Sequence, residues 1–187
     1  MYSLYCYTKV LLDKSIDYLT YRGESDTSSR IYPSNTGSFS KVISLYSNMS
    51  QICPNIYLGN SYNARNYYNL EENNIGLIVN CTAELDNHFP DHFQYLKVPI
   101  RDSSNSSILE YLDDTLDQVH TYLENNRCKS VLFHCFMGSS RSSSILVAYL
   151  VKYMDLGIEE AISLVREIRP IVNINSSFYR ELKLIYS

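Results

Sequence analysis

A cysteine followed six positions later by an arginine, with a glycine between them and a serine after, can handle a phosphoryl group. The run His134-Cys135-Phe136-Met137-Gly138-Ser139-Ser140-Arg141-Ser142 contains that set. It follows an apolar stretch, residues 130–133, and precedes a helix-forming one from about Ser142. A strand that stops, curls and starts a helix can turn the backbone N–H groups of Phe136, Met137, Gly138, Ser139, Ser140 and Arg141 inward, as a nest for an anion. Gly138 permits the tight curl. Arg141 adds a planar fork able to grip two phosphoryl oxygens. Cys135 sits at the base of this positive concavity, which favours its thiolate. A thiolate beneath a bound phosphate is set for in-line attack at phosphorus, forming a cysteinyl-phosphate. Ser142 can hydrogen-bond the sulfur and stabilise it as the leaving group of the second step. A Cys and an Arg at this spacing are commonplace alone; the conjunction with His134, Gly138, the flanking serines, the strand and the helix is not.

Such chemistry expels an alkoxide or phenoxide, so a positioned acid should protonate the leaving oxygen. The acidic candidates are Asp86, Asp91, Asp102, Asp113 and Asp114. Asp113 and Asp114 fall in a helical pattern, where a solvated face explains them. Asp102 follows an extended stretch, Tyr95 to Ile100, and opens a Ser/Asn-rich loop. That places it where a second strand ends beside the first, so Asp102 is the expected general acid and, in the second step, the base for water.

His134 is expected to hydrogen-bond within the loop and tune the thiolate. Asn80 and Asn175 are candidates to brace it. Cys81 reads as a buried core thiol, with a resolving thiol for Cys135 as the sharper alternative. Cys6, Cys53 and Cys128 carry no signal. His88, His92 and His120 show no metal-ligand spacing, and five cysteines without a CxxC disfavour both a zinc cage and a disulfide framework. No metal and no cofactor are expected.

These residues need a scaffold. With 187 residues, 45% hydrophobic, the chain can bury one sizeable core. Its net charge of −4 argues against a coat for nucleic acid or an anionic membrane. The longest apolar run, residues 145–151, is too short to span a bilayer, and the first residues do not read as a secretory signal. A reducing compartment such as the cytoplasm is expected, where thiols stay free. The 18 Tyr against 6 Gly and 5 Pro reflect AT-rich codon usage better than a Tyr-rich binding surface.

Residues 1–50 read as an N-terminal extension. Its residues 8–21 could form a short amphipathic helix, and residues 23–40 are a Ser-rich linker. The helix could pack on its own domain or on a second copy, giving a homodimer. From residue 51 to 187 strands alternate with helices: strands at residues 55–58, 77–80, 95–100 and 130–134, and helices through about residue 73 and over 108–125, 142–154, 158–168 and 177–185. This predicts an α/β domain, a central, mostly parallel sheet flanked by helices. Ligands of such sheets sit beyond the strands' carboxyl ends, where the loop 135–141 lies.

The loop resembles that of the dual-specificity protein phosphatases within the cysteine-dependent tyrosine phosphatase superfamily, His-Cys-x-Ala-Gly-x-Ser-Arg-Ser. His134, Cys135, Gly138, Ser140, Arg141 and Ser142 match, and Met137 stands where Ala is usual. ICPNIYLGNSYNA (52–64) resembles the family's opening strand and first helix. VNCTAE (79–84) resembles its Asn-Val-Thr-Ala-Glu segment with Cys81 for Val, and VPIRD (98–102) its Ile-Pro-x-x-Asp. RPIVNINSSFYRELKLI (169–185) resembles its C-terminal stretch, with Asn175 and Phe178 matching and Ile174 and Ser177 replacing Pro and Gly.

The resemblance covers residues 51 to the end. It implies a shallow cup hydrolysing phosphotyrosine and phosphoserine/threonine on a protein substrate, through Cys135, Arg141, Asp102 and Ser142. The loop interior carries no Lys, which disfavours phosphoinositides, and Ser flanks Arg141 where RNA-phosphatase relatives have Asn and Thr. From another class, a catalytically silent phospho-residue binding module would dispense with the Cys, the Arg or the acid. A rhodanese-like sulfurtransferase would need neither Asp102 nor Ser142.

Overall fold

The computed structural model describes residues 47–103 and 105–186. The helix expected at 8–21, the linker 23–40, Cys6 and a dimer built through them lie outside the described residues.

Five strands form one sheet: β1 (Ser50–Cys53), β2 (Ile56–Gly59), β3 (Ile75–Asn80), β4 (Gln94–Lys97) and β5 (Ser130–His134), in the order β1-β2-β5-β3-β4. The pairs β2–β5, β5–β3 and β3–β4 are parallel, and only β1 runs antiparallel, to β2. The β1–β2 hairpin was not foreseen. It turns at Pro54-Asn55, with Asn55 in the left-handed region at φ 63°, a conformation Asn tolerates better than most residues. The strand expected over 95–100 pairs only at residues 94–97. Val98 N–H still donates to Asn80 at 2.9 Å, after which the chain folds on itself through Ile100 N–H to Val98.

Helices α1 (Tyr67–Glu72), α2 (Leu109–Asn125), α3 (Arg141–Met154), α4 (Ile158–Ile168) and α5 (Ser176–Tyr186) complete the fold. The region after β2 is a 3-10 turn, Asn63–Arg65, followed by α1, in place of one longer helix. α2 buries Leu112, Leu116 and Val119 at helical spacing and keeps its acidic residues outside. Its N-cap Ile108 has no capping side chain; Ser107 Oγ accepts the Leu109 N–H at 3.1 Å, and the Ile108 N–H donates to Glu181 of α5 at 2.8 Å. A carboxylate there offsets the positive end of the helix. α3 is buried from Arg141 through Leu150; after a first turn of Arg and Ser it is apolar on every side from Ile145 to Val151, as a central helix must be.

The sheet separates two cores. Leu77, Val79, Val131 and Phe133 face α3 in the larger one, whereas Ile75, Ile78 and Leu132 face Leu70 of α1 in the smaller. Ile75 and Ile78 are three apart yet share a face because the β3–β5 register slips between Ile75 and Leu77. With the register restored, Asn80 pairs with His134, so both strands end level and deliver residues 81 and 135 to one rim. The carboxyl ends of β3 and β5, with the segment that leaves β4, therefore surround one site.

Candidate active site

The loop from Cys135 to Ser140 links β5 to α3 and is held from beneath, from behind and from the side. Beneath, Gly138 takes φ 67°, and its α-carbon lies so close to β2 that a Cβ would sit 2.3 Å from the Gly59 carbonyl oxygen. No side chain fits there. From behind, Arg169 is fully buried and donates from Nε to the Gly138 carbonyl at 3.0 Å and from Nη2 to the Met137 carbonyl at 3.3 Å. From Nη1 it also reaches Ser50 Oγ at 3.3 Å, tying the loop to β1. From the side, Ser139 Oγ donates to the Ile171 carbonyl at 2.7 Å and the Asn173 N–H returns to the Ser139 carbonyl at 2.9 Å.

Cys135 is buried, and its Sγ accepts two hydrogen bonds, from the Gly138 N–H at 3.2 Å and from Ser142 Oγ at 3.3 Å. The N–H groups of Phe136, Met137, Ser139, Ser140 and Arg141 donate to no protein acceptor among the described residues. A run of unpaired backbone donors around a thiol is an anion nest.

Arg141 opens α3 and is buried. Its Nη1 is gripped by both oxygens of Glu84, at 2.7 and 2.9 Å, and reaches the Ile100 carbonyl at 3.3 Å. Its Nε is buried without a hydrogen bond; the nearest carboxylate oxygen, Asp102 Oδ2, is 3.7 Å away, an ionic contact too long for one. Partial burial of Glu84 opposes its ionisation, but the guanidinium outweighs this and holds the carboxyl below its ordinary range. Asp102 stands across the loop, where its Oδ1 accepts from Ser140 Oγ at 3.2 Å and from Asn175 Nδ2 at 3.5 Å. Asn175 also donates its N–H to Ser140 Oγ at 3.1 Å and caps α5 by accepting the Ser177 N–H at 2.9 Å. The residue that caps α5 thus also contacts Asp102.

His134 is buried one residue below the thiol. Desolvation dominates there and pushes its imidazole down to about 4, so it is neutral near pH 7, and its Nδ1 has no hydrogen-bond partner among the described residues. Asn80 reaches the loop only indirectly. Its amide donates to the Leu85 carbonyl at 2.9 Å and to Asn87 at 3.0 Å, while its oxygen accepts from Thr82 at 2.7 Å. It shapes the 80–87 segment that presents Glu84. Cys81 continues the Leu77–Val79 face as Cys135 continues the Val131–Phe133 face, and its N–H donates to the His134 carbonyl at 2.8 Å. It is fully buried, and burial raises its thiol well above the ordinary value. His92 packs on Tyr67 of α1, His88 on Phe89, and His120 stacks on Tyr153 at 3.9 Å. Among the described residues no group of three or more His, Cys, Asp or Glu could hold a metal, and no helix is long and apolar enough to cross a membrane.

Sequence reasoning brought Cys135, Arg141, Asp102, Ser142 and Asn175 to one place and missed two residues. Glu84 is the ion-pair partner of Arg141, and Arg169 is the brace behind the loop. Both stand in segments already singled out, VNCTAE and RPIVN, where an acid and an arginine in otherwise apolar or small surroundings were the available signal.

Comparison with known proteins agrees with this fold. The family model for the dual specificity phosphatase catalytic domain matches residues 56–187. The chain is 39% identical over 136 residues to a Protein phosphatase Slingshot homolog of Xenopus laevis, covering 72% of this chain but 19% of that one. It therefore spans about a fifth of that relative's length. Dual specificity protein phosphatase 21 of Homo sapiens is 36% identical over 139 residues, covering 74% and 72% of the two chains. The crystal structure of DUSP15 superposes with a TM-score of 0.69 at 27% identity, covering 74% of this chain and 87% of that one. With the family model matched over residues 56–187 and a relative of 36% identity covered across most of its length, the chain belongs to the dual specificity phosphatase family.

Proposed function

We propose that residues 51–187 are a phosphatase domain that hydrolyses phosphotyrosine and phosphoserine/threonine on proteins through Cys135, with residues 1–50 an extension. One observation carries the reading. Cys135 Sγ, at the start of the nest, accepts hydrogen bonds from Gly138 N–H and Ser142 Oγ, and Arg141, at the other end of the same loop, is buried with it.

In the first step the thiolate attacks phosphorus. The S–P bond forms as the P–O bond to the substrate breaks, and Asp102 passes its proton to the departing oxygen. The nest N–H groups and Arg141 meet the charge on the three equatorial oxygens. In the second step the Asp102 carboxylate takes a proton from water. The water oxygen attacks phosphorus, the S–P bond breaks, and the thiolate leaves into its hydrogen bond from Ser142. Neither step calls for a metal or a cofactor, and the thiolate needs a reducing compartment to persist. Exposed Phe136 and Met137 form the lip of a shallow cup, which accepts both aryl and alkyl phosphates.

The test is hydrolysis of a small aryl phosphate and of phosphopeptides by wild type, Cys135→Ser and Asp102→Asn. Wild-type turnover should vanish in Cys135→Ser. It should fall in Asp102→Asn by about 10²–10⁴-fold for a poor leaving group and far less for a good one. Turnover surviving Cys135→Ser would overturn the cysteinyl-phosphate route. An inactive wild type that still binds phosphopeptide would make the domain a binding module.

A further inference from the structure

Three large side chains stand exposed on the loop and on the segment hydrogen-bonded to it. Phe136 and Met137 belong to the nest itself and are 52% and 43% exposed, and Tyr62, from the segment after β2, is 69% exposed. Their exposure follows from the loop. When successive N–H groups turn toward a central anion, the side chains between them must project outward. The two segments are joined by the Ser61 N–H, which donates to the Phe136 carbonyl at 3.1 Å. Arg65 stiffens the second one, since its guanidinium lies 5.0 Å from the centre of the Tyr62 ring and its Nε donates to the Ser61 carbonyl at 3.3 Å. Around Arg141 the cup differs in chemistry, with the partly exposed carboxylates of Asp102 and Glu84.

We infer that Phe136, Met137 and Tyr62 form a shelf for an apolar side chain directly flanking the phosphorylated residue of the substrate. The inference rests on the phosphatase reading and names the substrate class for that site. The nest fixes the phosphorus above Cys135, and the neighbouring residue of a peptide has its Cα only about 3.8 Å from that of the phosphorylated one. Its side chain must therefore meet the rim. Near Arg141 it meets carboxylates; near Phe136 it meets a ring, a thioether and a second ring, already in place before binding. Apolar contact on a preformed surface costs little ordering, so the shelf raises affinity for a flanking Leu, Met or Phe.

The experiment compares two phosphotyrosyl peptides that differ only in having Leu or Ser on both sides of the phosphorylated residue. The readout is the ratio of their kcat/KM values, which is independent of any change in absolute turnover. Wild type should favour the Leu peptide by about tenfold, corresponding to about 1.4 kcal/mol, through KM. Phe136→Ser, Met137→Ser and Tyr62→Ser should each lower the ratio, and the triple variant should bring it close to one. A small aryl phosphate run in parallel separates the two readings. If wild type hydrolyses it yet shows a peptide ratio near one, or if the triple variant keeps the ratio, the shelf is overturned and the phosphatase reading stands. If wild type hydrolyses neither, both fall. Sedimentation of the same proteins tests another occupant: a dimer lost in the triple variant, with the peptide ratio unchanged, would make the rim a contact between copies and overturn the shelf.

Discussion

Glu84 grips Arg141 Nη1 with both carboxylate oxygens, at 2.7 and 2.9 Å, while Arg141 Nε, on the other arm of the same fork, has no hydrogen bond. The acid occupies one corner of the guanidinium and thereby orients the rest of it. A buried arginine that had to be reoriented at each turnover would lose part of its transition-state stabilisation to that ordering. Glu84→Gln keeps an acceptor but removes the charge. It should lower kcat/KM for an aryl phosphate by about tenfold, the difference between a charge-assisted and a neutral hydrogen bond. Inhibition by inorganic phosphate should weaken in parallel. Steady-state kinetics with phosphate as competitor check this, and an unchanged inhibition constant would remove Glu84 from the positioning of Arg141.

Ser142 is the second residue of α3, with its Oγ 3.3 Å from Cys135 Sγ. The hydrogen bond matters most when the sulfur carries its full charge, which is when it leaves phosphorus in the second step. Ser142→Ala should slow breakdown of the cysteinyl-phosphate by about 10–100-fold, within the range of one donor to a developing anion. The first step should slow less. Rapid mixing with an aryl phosphate should then show a burst of phenol followed by a slow steady state. A variant that is slow without a burst would place the role of Ser142 before the intermediate.

Much of this site was legible because it is contiguous. From His134 to Ser142 the residues that make the nest, floor it and open the following helix are neighbours in sequence, and local geometry alone relates them. Asp102 was reachable by a longer step, from a strand end to the loop beyond it. Glu84 and Arg169 were not, since each meets the loop only after β3, β5 and the α4–α5 connection have packed, and no local pattern records that meeting. The β1–β2 hairpin stayed hidden for a related reason. Four residues, Ser50–Cys53, ending at a proline carry too little alternation to declare a strand, and they become one by pairing with β2. Asn80 shows the converse. Its place at a strand end was read, but its hydrogen bonds serve the Glu84 segment one layer away from the nest.

Gly138 tests how far the loop can yield. At φ 67° a side chain is strained, and a Cβ would meet the Gly59 carbonyl oxygen at 2.3 Å, a backbone atom that cannot rotate away. Gly138→Ala should cost at least about 2 kcal/mol, combining the left-handed penalty with a displaced strand end. It should also abolish turnover, because Gly138 N–H no longer reaches Cys135 Sγ. Urea unfolding read beside kinetics checks both parts. Wild-type stability in this variant would show that the loop and β2 can separate freely.

His134 predicts a pH dependence of stability. Its buried imidazole has a folded-state value of about 4, against an ordinary 6.5. In the window between the two the unfolded chain binds the proton and the folded chain does not, so stability falls as pH is lowered through that window. Above it the residue contributes no slope. Lowering pH from 7.5 to 5 should therefore cost about 2 kcal/mol through His134 alone. Most carboxylates remain ionised there, and Glu84, held below its ordinary range by Arg141, loses its contribution only under more acidic conditions. His134→Asn, which cannot titrate, should be less stable than wild type at pH 7.5 but should show a flatter profile down to pH 5. Urea midpoints measured at half-unit intervals for both proteins give the two slopes. Equal slopes would mean that the imidazole reaches water or a partner in the folded protein and is not held neutral by burial.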